Sequence, residues 1–232
     1  MYGNLVVTIE KTKQRIDARK YINLKRQLFM KKLIMLWLFT IISIVGLAQN
    51  TTKHLRYMGI PINGTITQFQ AKLIAKGCVH DKLTSNSLGV GCRAFKGHFI
   101  DNKVSIFVYY DESTKIVYRV KTLIANISES IVDQKYNQIK NMLLQKYGMT
   151  YSRYGEQTGK ESFSILVEGN ELNPNMDLTS LPLSVNGFKG NIDLFIAMDE
   201  TFLSYPFNYN LHIDYYDAIN NEKHQNRGLE DL

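Results

Sequence analysis

The sequence predicts an α+β fold: two α-βββ repeats forming an antiparallel sheet with the helices packed on one face, preceded by a signal peptide. Three observations carry this. Two segments repeat apolar residues at helical spacing between recognisable caps. Each is followed by β-branched or aromatic runs joined by short polar turns. A charge-free stretch follows Met30-Lys31-Lys32 near the start of the chain.

The leader comes first. Leu33 to Val45 (LIMLWLFTIISIV) carries no charge, and Gly46-Leu47-Ala48 puts small residues at −3 and −1, so cleavage is expected before Gln49. The apolar run, about 13–16 residues, is shorter than the roughly 20 of a spanning helix. The alternative is a retained anchor with its basic side in the cytoplasm. Residues 1–29 read as a start-site artefact ahead of Met30, or as a cytoplasmic tail. The exported domain spans 49–232, with repeats at about 55–126 and 127–220.

Charge supports this division. The net +7 suggests nucleic acid until it is located. Residues 1–48 hold nine Lys/Arg and two acids, so the remaining 184 residues are neutral overall. Nucleic acid is thereby excluded as a partner of the folded part. That part is nonetheless polarised: 49–160 hold 16 basic and seven acidic residues, and 161–232 hold three basic and 12 acidic. Such a dipole favours packing of one repeat on the other, or a charged partner.

The first repeat opens with a short extended piece, His54–Met58, and a turn from Gly59 to Gly64. Thr65-Ile66-Thr67-Gln68 is a capping box. Ile66, Phe69, Leu73 and Ile74 make one helical face, which Gly77 ends. Strands are expected over 88–99, 103–110 and 116–125, antiparallel because their connections are short. The second helix is capped by Ser130, with Asp133 at the third position. It carries Val132, Tyr136, Ile139 and Leu143 on one face and stops at Gly148. Strands follow at 162–168, 190–198 and 210–216. The polar stretch 169–182 is a long loop, and 183–188 suits a further short strand. Lys72-Leu73-Ile74-Ala75-Lys76-Gly77 and Met142-Leu143-Leu144-Gln145-Lys146-Tyr147-Gly148 share a likeness that supports a repeat.

Tyr57-Met58-Gly59-Ile60-Pro61, Gly64-Thr65, Phe69, Leu73 and Lys76-Gly77 resemble the opening of a group of uncharacterised exported bacterial proteins. Tyr215-Tyr216-Asp217, Asn220 and Lys223 resemble their closing strand. The resemblance covers most of 55–150. That group carries an aromatic after the Lys-Gly, where this chain has Cys78. The repeat is also similar in outline to the beta-lactamase inhibitory protein and to small outer-membrane assembly lipoproteins. These resemblances imply binding rather than catalysis.

The residues offer little chemistry. His54, His80, His98, His212 and His224 form no metal-binding pair, and no metal or cofactor site is expected. His212 alternates onto the same strand face as Asp214, opposite Leu211 and Ile213. There is no Gly-x-Ser-x-Gly elbow. Gly89-Val90-Gly91 lacks the Gly-Lys-Ser of a phosphate loop. His80 lies two residues from Cys78, but sequence neighbours are not thereby a nucleophile and base. In an oxidising compartment, Cys78 and Cys92 would close a loop of about 15 residues, worth roughly 3 kcal/mol; the alternative is two buried thiols. Asp193, Asp199, Glu200, Asp214 and Asp217 gather on the last strands, as turn residues, solvated strand ends or a carboxylate pair.

Aromatics remain. Of 14 Tyr, 12 follow residue 49, including Tyr151, Tyr154, Tyr205 and Tyr209. In the doublets Tyr109-Tyr110 and Tyr215-Tyr216, one ring faces the core and the other faces out. Outward Tyr on a sheet is both a recognition surface and a β-surface filler. All four are candidate binding residues. The expectation is therefore an exported, non-enzymatic protein of the periplasm or medium, binding an envelope protein or a glycan or peptide ligand. It meets membrane only if its signal is uncleaved. The rival readings are an envelope hydrolase using carboxylates or Cys78, and an anchored scaffold.

Overall fold

The computed structural model describes residues 53–157, 160–199 and 208–230. The prefix 1–29, the signal segment 30–48 and the cleavage point before Gln49 lie outside the described residues, as do Glu200 and Tyr205. Among the described residues no helix is long and apolar enough to cross a membrane.

The described part of the chain is α+β with one large antiparallel sheet. Two short strands, β1 (Arg56–Tyr57) and β2 (Ile60–Pro61), form a hairpin. Met58 and Gly59, both at positive φ, make its tight two-residue turn. Helix α1 (Ile66–Ala75) begins with the expected capping box: Thr65 Oγ1 accepts from Gln68 N at 3.4 Å, and Gln68 Oε1 from Thr65 N at 3.0 Å. Ile66, Phe69 and Leu73 are buried, whereas Ile74 is 50% exposed. At 100° per residue Ile74 falls about 100° round from Leu73, off the buried stripe.

Then come β3 (Val79–Asp81), the short helix α2 (Lys82–Leu88), β4 (Cys92–Phe99), β5 (Asn102–Tyr110) and β6 (Val117–Ser128). Helix α3 (Glu129–Tyr147) leads to β7 (Ser152–Gln157), β8 (Lys160–Glu168), β9 (Phe188–Met198) and β10 (Asn208–Asp217). Helix α4 (Ala218–Glu230) follows. The sheet order is β3-β4-β5-β6-β10-β9-β8-β7, with every neighbour antiparallel.

Four strands, not three, follow each of α1 and α3. The extra ones, β3 and β7, are the sheet's edges. Edge strands bury little, so neither Val-His-Asp nor Ser-Arg-Tyr-Gly-Glu-Gln shows apolar alternation. Helix α2 buries no side chain and therefore carries no periodicity; the Asp81 carboxylate accepting from Thr84 N at 3.2 Å starts it. Helix α3 is capped at Ser128, two residues before the expected Ser130. The stretch 183–188 is turn rather than strand up to Phe188. There the buried Asn186 amide donates to the carbonyls of Asp177, Leu181 and Pro182, and its oxygen accepts from Asp177 N.

One face of the sheet builds the core. Val104, Ile106 and Val108 on β5, Val120 and Ile124 on β6, Leu211, Ile213 and Tyr215 on β10, Ile192, Leu194 and Ile196 on β9, and Phe163 and Ile165 on β8 belong to one buried cluster. Helix α3 adds Val132, Tyr136, Ile139 and Leu143, the face expected from spacing, and α1 adds Ile66, Phe69 and Leu73. Fully burying such a side chain contributes about 1.5–3 kcal/mol. Tyr57 sits among them, stacked on Phe99 at 5.6 Å and edge-on to Tyr215 at 5.2 Å, its oxygen accepting from Thr122 Oγ1 at 2.9 Å. Helix α4 instead crosses the sheet's end, where Asn220 Nδ2 donates to the carbonyls of Ile62 and Val117, each at 3.0 Å.

Cys78 and Cys92 are buried and free, and the expected disulfide is not formed. The Cys78 sulfur packs beside Gly97, 2.8 Å from where a Cβ would stand, on the core side of β4. Cys92 is five residues back on the same strand, about 16 Å at strand rise, and alternates to the other face opposite Tyr109. A disulfide tolerates Cα atoms no more than about 7 Å apart.

Candidate functional site

Strand alternation sends a second set of side chains to the face opposite α3, and the register aligns them in rows. Cys92, Tyr109, Arg119, Tyr216, Asn191 and Leu166 form one row across β4, β5, β6, β10, β9 and β8. The next row is Ala94, Phe107, Lys121, Asp214, Asp193, Ser164 and Arg153. A third runs through Leu123, His212, Phe195 and Ser162. Helices α1 and α3 pack on the core side of the sheet, α4 lies at its end, and α2 packs beside β4, where Ser85 Oγ accepts from Ala94 N at 2.9 Å.

The chemistry centres on the seam where β6 meets β10. Arg119 lies between two tyrosine rings, its guanidinium carbon 4.7 Å from the centroids of both Tyr109 and Tyr216. Its Nη2 donates to Asp214 Oδ2 at 2.7 Å. Asp214 is only 2% exposed. Burial pushes its carboxyl above the ordinary range, although Arg119 and Lys121 pull the other way. Burial lowers Lys121, whose ammonium lies 5.9 Å from the Phe195 ring. His212 stacks flat on Phe195 at 4.7 Å. Burial, with the charges of Lys121 and Arg119, depresses its imidazole to about 4, so it is neutral near pH 7. Asp193 stands opposite Asp214 and accepts from Ser164 Oγ at 2.6 Å and Asn191 Nδ2 at 3.1 Å.

Three buried polar atoms on this face have no hydrogen-bond partner among the described residues: Arg119 Nε, Asp214 Oδ1 and His212 Nδ1. A buried polar atom left unpaired costs about 1–3 kcal/mol. Three together on neighbouring positions of two central strands form a set of hydrogen-bonding groups that a bound molecule can satisfy.

Of the four candidate tyrosines, Tyr109 and Tyr216 are on this face. Tyr110 and Tyr215 point into the core, 8% and 5% exposed, so they are packing residues. The doublets divide as alternation requires. Tyr154 is exposed beside Phe163 on β8, and Tyr151 stands edge-on to Phe188. Tyr209 Oη donates to Glu129 Oε1 at 3.1 Å.

The nucleophile candidates disperse. Burial raises both thiols, Cys92 to about 11, which disfavours the reactive thiolate. His80 bonds Ser85 Oγ at 3.0 Å and lies against Phe95. Asp217 is structural: it meets His54 Nδ1 at 3.0 Å and accepts from Leu55 N and Asn220 N, joining the domain's start to α4. Asp111 ties the β5–β6 turn to α4 through His224 and Arg227. No group of three metal-binding side chains occurs among the described residues. Arg119–Asp214 and Lys140–Glu161 join a base of 49–160 to an acid of 161–232, whereas Arg227–Asp111 joins them the other way round.

Sequence reasoning misses Arg119 and Lys121. Their alternation within Val117-Tyr118-Arg119-Val120-Lys121 marks an outward face, but only the β6–β10 register brings them to Asp214. No family model, curated protein or solved structure matches the chain.

Proposed function

We propose that this is an exported, non-catalytic binding protein of the cell envelope, and that it receives its partner on the sheet face around Tyr109, Arg119 and Tyr216. One observation carries the reading: Arg119, held between two tyrosine rings and paired with Asp214, shares one face with His212, and each of the three keeps a buried polar atom with no partner among the described residues. Aromatic and arginine side chains are the types that anchor interfaces. The tandem-repeat reading belongs with it. A helix followed by four strands occurs twice, and the strand order mirrors about the β6–β10 seam, which supports two repeats meeting where the site lies. A leader that is cleaved or retained would deliver the domain outside the cytoplasm.

The test is site-specific photo-crosslinking in cells. A crosslinking residue replaces Tyr109 or Tyr216 in turn, with Tyr154 near the far edge as control. A discrete adduct from the two face positions, lost with Arg119→Met, is the expected result. No adduct, or the same adducts from all three positions, would refute it.

The carboxylate-hydrolase reading keeps one specific support. Asp193 and Asp214 oppose each other across β9 and β10, and Asp214 is raised by burial. Hydrolysis of an envelope glycan that vanishes in both Asp193→Asn and Asp214→Asn would favour it over binding alone.

A further inference from the structure

A second concave region lies away from the sheet face. A cavity of about 540 Å³ is lined by Lys53, Glu171, Lys189, Phe188 and Ile219, with the backbone of Gly169 and Gly187. A smaller one of about 270 Å³ is lined by His54, Arg56, Lys146 and Lys189 over Leu55, Val167 and Tyr147. Asn170 and Lys189 line both, so the two share a wall. The larger is within the size range of small-molecule sites.

The charge is one-sided. Lys53, from the domain's first residues, and Lys189, on β9, line the larger cavity; Lys189 also lines the smaller one, with Arg56 of β1 and Lys146 near the end of α3. None of the four belongs to an ion pair among the described residues. His54 is already paired with Asp217. Glu171 is the only carboxylate among the lining residues. In the smaller cavity Arg56, Lys146 and Lys189 face no lining carboxylate, more positive charge than a single carboxylate ligand would balance, whereas a phosphate ester carries about −1.5 to −2 at neutral pH. Phe188, Ile219, Leu55 and Val167 supply apolar floor for the rest of such a molecule.

We propose that this cleft binds a phosphate-bearing ligand, with Arg56 and Lys189 as its principal anion contacts. Arginine meets phosphate oxygens in a bidentate way, and lysine meets them as a point charge. The site is independent of the sheet face, so either can fail alone. Both a soluble phosphate ester and a phospholipid headgroup offer this chemistry.

The experiment is a titration of the protein, purified as produced from the full-length chain, with inorganic phosphate against sodium chloride at equal ionic strength, followed by amide NMR. The expected result is saturable shifts at Asn170, Gly187 and Lys189 with phosphate only. Arg56→Gln combined with Lys189→Gln should weaken binding by about tenfold or more, and Lys103→Gln, at an exposed position of β5, should leave it unchanged. A second arm uses phosphatidylcholine vesicles with and without phosphatidylglycerol. Retention on the anionic vesicles that phosphate competes away assigns the headgroup; phosphate binding without vesicle retention assigns a soluble ester. Absence of phosphate-specific shifts, or a double variant that is folded by its NMR spectrum and binds like wild type, would overturn the proposal.

Discussion

Replacing Arg119 by Met removes the partner of a carboxylate that water barely reaches. Asp214 has 3% of its side chain exposed and Arg119 has 24%. Breaking a fully buried pair costs about 3–5 kcal/mol. Partial exposure of the arginine reduces this to about 2–3 kcal/mol, and losing the two ring contacts adds about 0.5–1 kcal/mol each. The expected loss is about 3–5 kcal/mol, or roughly 6–20 °C in Tm for a domain of this size. The sign with pH is fixed by Asp214. Its native pKa is raised, so its contribution to stability is full below the unfolded value near 4 and is lost as pH rises through the native one. Removing the arginine raises the native value further. The deficit of Arg119→Met against wild type should therefore be greatest near pH 7 and shrink towards pH 4. His212 runs the other way in both proteins: depressed to about 4, it contributes above about 6.5 and loses that contribution as pH falls. The comparison must therefore be between proteins at each pH. Urea denaturation of Arg119→Met, Asp214→Asn and the double variant measures it. The double variant should recover most of the loss, because no charge is then stranded. An Arg119→Met protein as stable as wild type at pH 7, or a deficit that grows with acid, would refute the reasoning.

Three further outcomes follow from particular positions. Gly190, at φ +152°, sits where a Cβ would strike the Tyr216 carbonyl oxygen; Gly190→Ala should cost at least about 3 kcal/mol in urea denaturation. Cys78 and Cys92 are buried, free and raised in pKa, so an aromatic disulfide reagent should label neither in the native protein and both after unfolding; a disulfide found by mass spectrometry would contradict this. For Asp111, burial opposes ionisation, but hydrogen bonds from Ser113, Thr114 and His224 outweigh it and hold the carboxyl well below the usual range. Its contribution is therefore present above about pH 4 and lost on strong acidification. Asp111→Asn should loosen α4, seen as faster amide exchange at Asn220–Arg227, with little change in α3.

What was legible in the sequence was whatever buries an apolar stripe. The α3 face of Val132, Tyr136, Ile139 and Leu143 is buried as spacing required, as are the alternating residues of β5, β9 and β10. The α1 capping box was legible because it is a local exchange of hydrogen bonds over four residues. Elements that bury little left no trace: β3, β7 and α2 contribute almost nothing to the core. Helix α4 was missed for a different reason. Asn220, Asn221, Glu222, Lys223 and His224 are five polar residues in a row, so no apolar stripe marks the helix, which is tied down by polar contacts from Asp217, Asp111 and Asn220 that only tertiary structure supplies. The disulfide expectation failed because a 15-residue spacing says nothing about which face of a strand each thiol occupies.

The site had the same asymmetry. Alternation alone separated Tyr109 from Tyr110 and Tyr216 from Tyr215, since one step along a strand turns a side chain to the other face. Choosing which outward residues matter required the register. Arg119 and Asp214 are 95 positions apart and meet because β6 and β10 pair at the centre of the sheet. That pairing also explains why the face is costly to leave uncovered. A central strand pair has neighbours on both sides, so Asp214, Arg119 and His212 are screened from water by Tyr109, Tyr216, Lys121 and Phe195 without gaining enough partners in exchange. An Asp at an edge would be solvated and chemically quiet. Desolvation at the seam without full pairing is what makes this face a candidate for recognition, and it accounts for the expectation that Arg119→Met should reduce stability and partner adducts together, while Tyr154 variants should alter neither.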